Sequence, residues 1–165
     1  MPQPKSTGII RASVLDRLID EAPKIRSEAM PTVDESSRNC MDALRRDLES
    51  LLNTRRIADD PPETNTELRR STYMYGLPDI SSMGTLSTID QNRLLKAVES
   101  AIAIFEPRLT RVKVTLRPVA KSGRMLHFLI EGLLQIDPAP QHIVFDTLLE
   151  LGSGSYQIQG GSGAR

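Results

Sequence analysis

The stretch LLKAVESAIAIFEPRLTRVKVTLR, residues 94–117, changes its hydrophobic period from helical to strand-like within a few positions. In its first half the apolar side chains recur at steps of three and four: Leu94, Val98, Ala101, Ile102 and Phe105. In its second half they alternate with polar residues, at Val112, Val114 and Leu116. Between the halves lies FEPRL, residues 105–109. Because a residue that precedes proline is pushed out of the helical conformation, the stretch predicts a helix ending near Phe105 and a stiff corner into a strand.

A second amphipathic helix is predicted upstream, from Ser36 or Ser37 as the N-cap to about Thr54. Its apolar face consists of Met41, Leu44, Leu48 and Leu51. Its outer side carries two oppositely charged pairs at i,i+4 spacing, which are Asp42 with Arg46 and Arg45 with Glu49. These residues indicate a helix that packs on a core along one face and meets solvent along the other.

The segment between the two helices, about residues 57–87, is dense in proline, glycine and other turn formers. This composition predicts a loop. Thr88, followed three residues later by Gln91, fits a capping box at the start of the next helix.

Three further strands are predicted after the corner stretch: Met125–Ile136, Ile143–Leu151 and about Ser155–Gln159. In the first of these, Leu126, Phe128 and Ile130 share one face, and His127, Leu129 and Glu131 share the other. Gly152-Ser-Gly154 joins the last two strands as a hairpin turn would. Helices followed by antiparallel strands predict an α+β fold, with two main helices packed on one face of a small, mainly antiparallel sheet of about four strands.

The length of 165 residues suits one folded domain. Residues 1–35 are interrupted by prolines and contain one short amphipathic run, Ser13–Asp20, so they predict a mobile N-terminal arm with a short helix. The apolar side of that helix could pack on its own domain or on a partner. Residues 36–159 are predicted to form the domain, and residues 160–165 a disordered tail.

The composition disfavours several classes of function. The 21 basic and 21 acidic residues balance, so no overall field attracts nucleic acid or an acidic membrane. With no Trp, the aromatic surfaces on which single-stranded nucleic acid stacks are scarce. Cys40 is the single cysteine, which excludes an internal disulfide and favours a reducing compartment. No run is apolar enough for a secretory signal or a membrane helix, so we expect a cytosolic protein.

The FEPRL corner holds Glu106 and Arg108 in a defined relation, because Pro107 fixes the backbone between them. The corner can be a plain helix stop with Arg108 beside the last carbonyls, or a docking point for other proteins. Acid catalysis by Glu106 is disfavoured, because a neighbouring arginine stabilises the ionised carboxylate that a general acid must avoid.

Other candidate sites are weaker. Glu131 lies on a predicted strand among apolar residues, but no second acid is marked as its partner, which favours a solvated strand face. Cys40, His127 and His142 show no zinc-ligand spacing, and the glycines match no phosphate-binding pattern. We therefore expect no metal, no cofactor and no catalytic residue.

The segment LLNTRR, residues 51–56, ends the first main helix with Arg55 and Arg56. The spacing of Arg55 from the leucines predicts a stem that lies beside the apolar stripe and is partly buried. The end of a helix favours a cation there. Glu106 is a conceivable partner for this arginine.

Several motifs taken together resemble the TssE subunit of the bacterial type VI secretion baseplate. They are LRRDLESLLNTRR (44–56), YGLPD (75–79), RLLKAVESAIAIFEPRL (93–109) and VFDTLLEL (144–151) with the following SGSYQI. Their order and spacing extend over about residues 36–159, with VLDRL in the arm as a weaker echo. The TssE family is similar to a small wedge protein of contractile phage tails that is often labelled lysozyme-like.

The resemblance implies a structural, non-enzymatic role in the cytoplasm, in a baseplate docked at the inner membrane complex. Glu106, Pro107 and Arg108 match the signature corner of the family, which contacts the wedge core, and Arg55 and Arg56 are further partner-binding candidates. The sheet is expected to receive strands from the first ring of the contractile sheath and to template its polymerisation. The expected partners are wedge and sheath subunits, with no nucleic acid, membrane insertion or small-molecule substrate. The alternative is a peptidoglycan-cleaving muramidase that uses Glu131 or Glu106.

Overall fold

The computed structural model describes residues 13–19, 24, 32–62, 64–79, 87–117, 125–136 and 139–163. The helices are α1 (Val14–Leu18), α2 (Val33–Asn53), α3 (Thr66–Arg70) and α4 (Thr88–Phe105), with a 3-10 turn at Thr72–Met74. The strands are β1 (Leu109–Arg117), β2 (Met125–Leu134), β3 (Gln141–Glu150) and β4 (Ser155–Gly163). The connection between β1 and β2, residues 118–124, lies outside the described residues, as do residues 1–12, 20–23 and 25–31 of the predicted arm.

The four strands form one antiparallel sheet in the order β1-β2-β3-β4, so β1 and β4 are its edges. The alternation predicted for β2 is confirmed, because Phe128 and Ile130 are buried while His127, Leu129 and Glu131 are partly exposed on the other face. β4 extends the predicted strand beyond Gln159, and residues 160–163, which the sequence assigned to the tail, lie in it.

The two long helices pack with the buried face of the sheet in one core, which confirms the predicted α+β fold. α2 lies against β4, and α4 lies against β1. The largest fully buried side chains come from both helices and from the central strands: Phe128, Phe145, Leu44, Leu48, Leu51, Leu52, Ile102, Ile130, Leu134, Ile143, Leu149 and Val98. Burial of these apolar side chains is the main source of the stability of the domain.

The start of α2 differs from the prediction. The N-cap is Thr32, whose hydroxyl accepts from the Glu35 amide while the Glu35 carboxylate accepts from the Thr32 amide. This reciprocal capping box satisfies two donors at the helix start, which Ser36 or Ser37 alone could not do. α2 therefore begins inside the segment that the sequence assigned to the arm.

The start of α4 and the connection before it also differ from the prediction. Ser87, not Thr88, caps α4, because its hydroxyl accepts from the Asp90 amide. In the segment predicted as a loop, the structure forms α3 and the 3-10 turn, both held by local hydrogen bonds at Ser71. Helices this short carry too little periodic pattern to be read from the sequence.

The i,i+4 ion pairs predicted along α2 do not form. Arg45 lies 3.8 Å from Asp42 at i,i+3 spacing. Arg46 instead contacts Asp16 of α1, and Glu49 accepts from the main chain of β4. Long-range partners have replaced the predicted local ones for Arg46 and Glu49, while Arg45 keeps a local partner.

No helix in the described part of the chain is long and apolar enough to cross a membrane. The same residues include no group of three or more His, Cys, Asp or Glu side chains placed to hold a metal ion.

Candidate functional site

The corner between α4 and β1 is held by hydrogen bonds of both its main chain and its side chains. The helix ends at Phe105, and the Glu106 amide donates to the Ile102 carbonyl at 2.8 Å. The Leu109 amide then donates to the Glu106 carbonyl at 3.1 Å, which closes a tight turn around Pro107. The sequence placed this corner correctly.

Inside the corner, Glu106 and Arg108 bind each other through two parallel contacts. Glu106 Oε1 accepts from Arg108 Nε at 2.7 Å, and Oε2 accepts from Arg108 Nη2 at 2.5 Å. Oε1 also accepts from the Arg108 amide at 3.2 Å. A bidentate arrangement of this kind fixes the plane of the guanidinium as well as its position. Proline allows it, because the rigid backbone holds the two side chains on the same side of the turn.

The pair extends into α2 and α1 through alternating charges. Arg108 Nη2 donates to Asp47 Oδ2 of α2 at 2.5 Å. Arg46 Nη2 donates to Asp47 Oδ1 at 3.3 Å and to Asp16 Oδ1 of α1 at 2.5 Å. We call the five residues Glu106, Arg108, Asp47, Arg46 and Asp16 the corner network. It joins three parts of the fold that are distant in sequence.

Exposure divides the corner residues into two roles. Glu106 is buried, with a side chain that is only 7% exposed, and both of its oxygens are occupied by Arg108. Pro107 is exposed, and the Arg108 side chain retains 27% of its accessible surface. A partner can therefore reach Pro107 and one side of Arg108, while Glu106 orients the arginine from inside.

The hydrogen bonds of this network favour the charged forms of Arg108, Arg46 and Asp16. The Glu106 carboxylate, and then Asp47, raise the pKa of Arg108 above its usual range, against the opposing effect of burial. Hydrogen bonds from Arg46 and Ser13 lower the pKa of Asp16. Nearby, burial raises the pKa of the Cys40 thiol, so this side chain behaves as a partly buried apolar group.

Arg55 and Arg56 lie at a second place, with partners of their own. Arg55 Nη1 is 3.2 Å from Asp79, and Arg56 Nη1 is 3.1 Å from Asp60. The Arg55 side chain is 65% exposed, and its partner is Asp79, not Glu106. Arg55 is the first residue beyond the helix C-cap, where the extended chain directs its side chain to solvent.

The same segment joins two of the motifs singled out from the sequence. The Arg56 amide donates to the Leu77 carbonyl at 2.9 Å, and the Leu77 amide donates to the Thr54 carbonyl at 2.8 Å. Gly76, at φ 108°, permits this approach, since a Cβ there would lie 2.2 Å from the Thr54 carbonyl oxygen. LLNTRR and YGLPD therefore pair through their main chains.

The geometry gives little support to acid catalysis in the described residues. Asp47 and Glu106 both bind Arg108, so a guanidinium occupies the space where a substrate would have to enter between two acids. Glu131 lies on β2 opposite Lys113 of β1 and Val144 of β3. Neither arrangement places two carboxyl groups across an open cleft.

Several residues of this architecture were not identified from the sequence as functional, among them Asp47, Asn53 and Glu49. Asp47 binds Arg108 across a separation of 61 residues, and Asn53 and Glu49 reach β4 across more than 100 residues. Asp47 and Glu49 followed the expected pattern of a solvated helix face. Asn53 lies within the LLNTRR motif, but in that motif the sequence pointed to Arg55 and Arg56 as the binding residues.

A comparison with protein families matches residues 38–139 to the family described as Baseplate wedge protein gp25. The matched range includes most of α2, the corner and the first two strands. A search of curated proteins gave no match.

Proposed function

The chain belongs to the family of the baseplate wedge protein gp25, which is also the family of TssE, and we propose that it is a non-enzymatic structural subunit of a type VI secretion baseplate. In this role it links the wedge core to the first ring of the contractile sheath and templates sheath polymerisation. The family supports a role in a phage-tail-like baseplate. The link to the sheath goes beyond what the family supports and is our own proposal.

The observation that carries the proposal is the fixed guanidinium at the FEPRL corner. Arg108 is held by Glu106 on one side and Asp47 on the other, so its exposed side keeps one orientation. A side chain that is ordered before binding loses less entropy on binding. Together with the exposed ring of Pro107, it offers a rigid contact of the kind that a wedge subunit could recognise through a carboxylate or a main-chain carbonyl.

Glu106, which the sequence gave as a partner-binding residue, has an indirect role in this proposal. We propose that Glu106 contacts the partner only through Arg108, because its own oxygens are occupied and buried. Arg55, which is exposed beside Asp79, and Arg56 form a second contact with wedge subunits in this proposal.

The test of the corner uses Arg108→Lys, which keeps the charge and removes the bidentate geometry. We expect about a tenfold or greater loss of co-purification with the wedge subunits, since lysine cannot reproduce the planar fork of arginine. Arg93→Lys is the matched control, because Arg93 is an arginine of α4 that is 72% exposed. Thermal unfolding establishes that both variants are folded. Undiminished co-purification of folded Arg108→Lys would refute the role of the corner.

The second half of the proposal concerns the hairpin formed by β3 and β4, residues 141–163. β4 is an edge strand, and an edge strand can accept a further strand through main-chain hydrogen bonds. We propose that strands of the sheath add there. Sheath assembly is compared between cells that carry the wild-type chain and cells that carry Arg108→Lys. This measurement depends on the contact with the wedge and the contact with the sheath together.

The protein is proposed to act in the cytoplasm, in a baseplate docked at the inner membrane complex, with no cofactor, nucleic acid or small-molecule substrate. The competing activity is cleavage of peptidoglycan by Glu131 or Glu106. A turbidity assay on purified peptidoglycan, with Glu131→Gln and Glu106→Gln as controls, separates the two. Lysis that depends on either carboxylate would contradict the structural role.

A further inference from the structure

The outer edge of β4 is occupied by side chains of α2. The Tyr156 amide donates to Asn53 Oδ1 at 2.8 Å, and Asn53 Nδ2 donates to the Tyr156 carbonyl at 3.0 Å. The Ile158 amide donates to Glu49 Oε1 at 3.1 Å. A carboxamide carries one acceptor and one donor side by side, as a peptide group does, so Asn53 pairs with Tyr156 as a residue of a neighbouring strand would.

At the opposite edge of the sheet, a side chain of α4 binds the main chain of β1 in a similar way, through a single hydrogen bond. Glu99 of α4 accepts from the Val114 amide of β1 at 2.8 Å. Each long helix therefore places a side chain on the main chain of the edge strand that it packs against. Unpaired edge strands are sites of unwanted association, and covering them is a recognised way to prevent it.

The cover on β4 ends part of the way along the strand. Tyr156 and Ile158, whose main chains point outward, lie opposite Leu149 and Thr147 of β3. After the irregularity at Gly160, where φ is 58°, the register continues with Gly161 opposite Phe145 and Gly163 opposite Ile143. The residues of β4 that lie opposite every second residue of β3 direct their main-chain groups to the same side, so the main chains of Gly161 and Gly163 also point outward.

We propose that Asn53 and Glu49 close the Tyr156–Ile158 part of the β4 edge to strand pairing and leave residues 160–163 as the part of this edge on which an incoming strand pairs. The glycines there suit this use, since they allow another main chain to approach closely. The cover itself concerns the chain alone. The identity of the incoming strand, a sheath segment, rests on the function proposed above.

The cover is tested first on the isolated chain by amide hydrogen exchange. The Tyr156 and Ile158 amides are expected to exchange as slowly as the amides of β4 that bond to β3. Fast exchange of these two amides in the wild-type chain would overturn the proposal, and this measurement requires no variant.

Removal of the cover is the second test. In the double variant Asn53→Ala and Glu49→Ala, we expect about tenfold or faster exchange at Tyr156 and Ile158, since their acceptors are gone. We also expect association that grows with concentration, measured by light scattering. Asn39→Ala is the control, because Asn39 is an exposed asparagine of the same helix. A folded double variant that stays monomeric like the control would overturn the proposal.

Binding to purified sheath subunits separates the cover from the proposed function. If the cover limits the length of pairing, the double variant binds the sheath more tightly than the wild-type chain does. Equal binding of the double variant and the wild-type chain would show that the cover does not limit the length of pairing. If neither chain binds, the proposed sheath contact fails, and the cover is judged by the two experiments on the isolated chain.

Discussion

Glu106 explains why an acid, a proline and a base occupy the corner. Its buried carboxylate needs a cationic partner, and the proline turn brings that partner within reach at a spacing of two residues. A glycine at position 107 would also allow the turn, but its flexible backbone would let Arg108 move away from the Glu106 carboxylate. The corner is thus a helix stop and a fixed display of one arginine at the same time.

Replacement of Glu106 by glutamine should destabilise the fold. Glutamine cannot accept both guanidinium contacts, and the remaining Arg108 is left partly buried beside a neutral group. We expect a loss of about 3 kcal/mol in the free energy of unfolding. This value is at the lower end of the range for breaking a buried ion pair, because Arg108 keeps some contact with water. Urea denaturation measures it.

Asp60→Asn is the control for this change, because Asp60 also pairs with an arginine but is 62% exposed. The control should lose less than about 1 kcal/mol. Equal stability of Glu106→Gln and Asp60→Asn would show that the buried pair contributes nothing beyond a surface pair.

Gly132 occupies a strand position where a side chain would be expected, and the structure supplies the reason. A Cβ at this position would lie 2.7 Å from Leu109 Cδ1, and Leu109 is a buried residue at the start of β1. The glycine makes room for the leucine that follows the corner. The neighbour that requires Gly132 comes from another strand, so it could not be read from the local sequence pattern.

The substitution Gly132→Ala should therefore overpack the core next to the corner. We expect a loss of about 1–3 kcal/mol in unfolding free energy. Gly152→Ala serves as the comparison, because a Cβ there meets nothing within 4 Å. That variant should change stability by less than about 1 kcal/mol. Similar stabilities of the two variants in thermal unfolding would contradict the packing argument.

Among the elements, the long helices and the strands follow their hydrophobic periods closely, and their ends do not. Of the five apolar positions that the sequence selected in α4, Leu94, Val98, Ala101 and Ile102 are buried. The fifth, Phe105, is half-buried at the end of the helix. Helix starts depend on which polar side chain reaches an unpaired amide, and several serines and threonines compete for that role. For α2 the sequence TVDE carried the stronger signal, because Glu35 completes the box that Thr32 begins.

The helix cap of α2 can be tested by Thr32→Ala. Loss of the cap hydroxyl leaves the Glu35 amide without its acceptor, so we expect a cost of about 1 kcal/mol. Ser37→Ala, at the position that the sequence suggested, should cost clearly less. Chemical denaturation of the two variants decides between the two caps, and a larger effect at Ser37 would refute the Thr32 cap.

At the scale of the whole molecule, the sequence predicted the architecture but not the polar links across it. Periodicity reports the face that each element buries, and this is enough to predict helices on one side of an antiparallel sheet. Ion pairs over long separations leave no such trace, because charged residues on a solvated helix face look alike. The contact between Arg108 and Asp47 spans 61 residues, and that between Arg46 and Asp16 spans 30.

These links also connect α1 to the corner. Val14 and Leu18 are 73% and 77% exposed, so these two apolar side chains do not anchor α1 on the domain. The contact between Asp16 and Arg46 holds α1 on α2. The exposed apolar side chains leave open the alternative that the sequence posed, namely that the helix also meets a partner.

Acid should release α1 before it unfolds the domain. Arg46 and Ser13 lower the pKa of Asp16, so its carboxylate stabilises the docked helix fully above the ordinary pKa of about 4, and this contribution is lost as the pH falls through the lowered value. Methyl signals of Leu18, followed by nuclear magnetic resonance from neutral to acidic pH, should move to the positions that Asp16→Asn shows at neutral pH. Asp42→Asn, at an acid of α2 that is 72% exposed, should leave the wild-type profile unchanged. If the Leu18 signals of the wild-type chain move only when the core unfolds, or if Asp16→Asn keeps α1 docked, the charge contact is not what holds this helix.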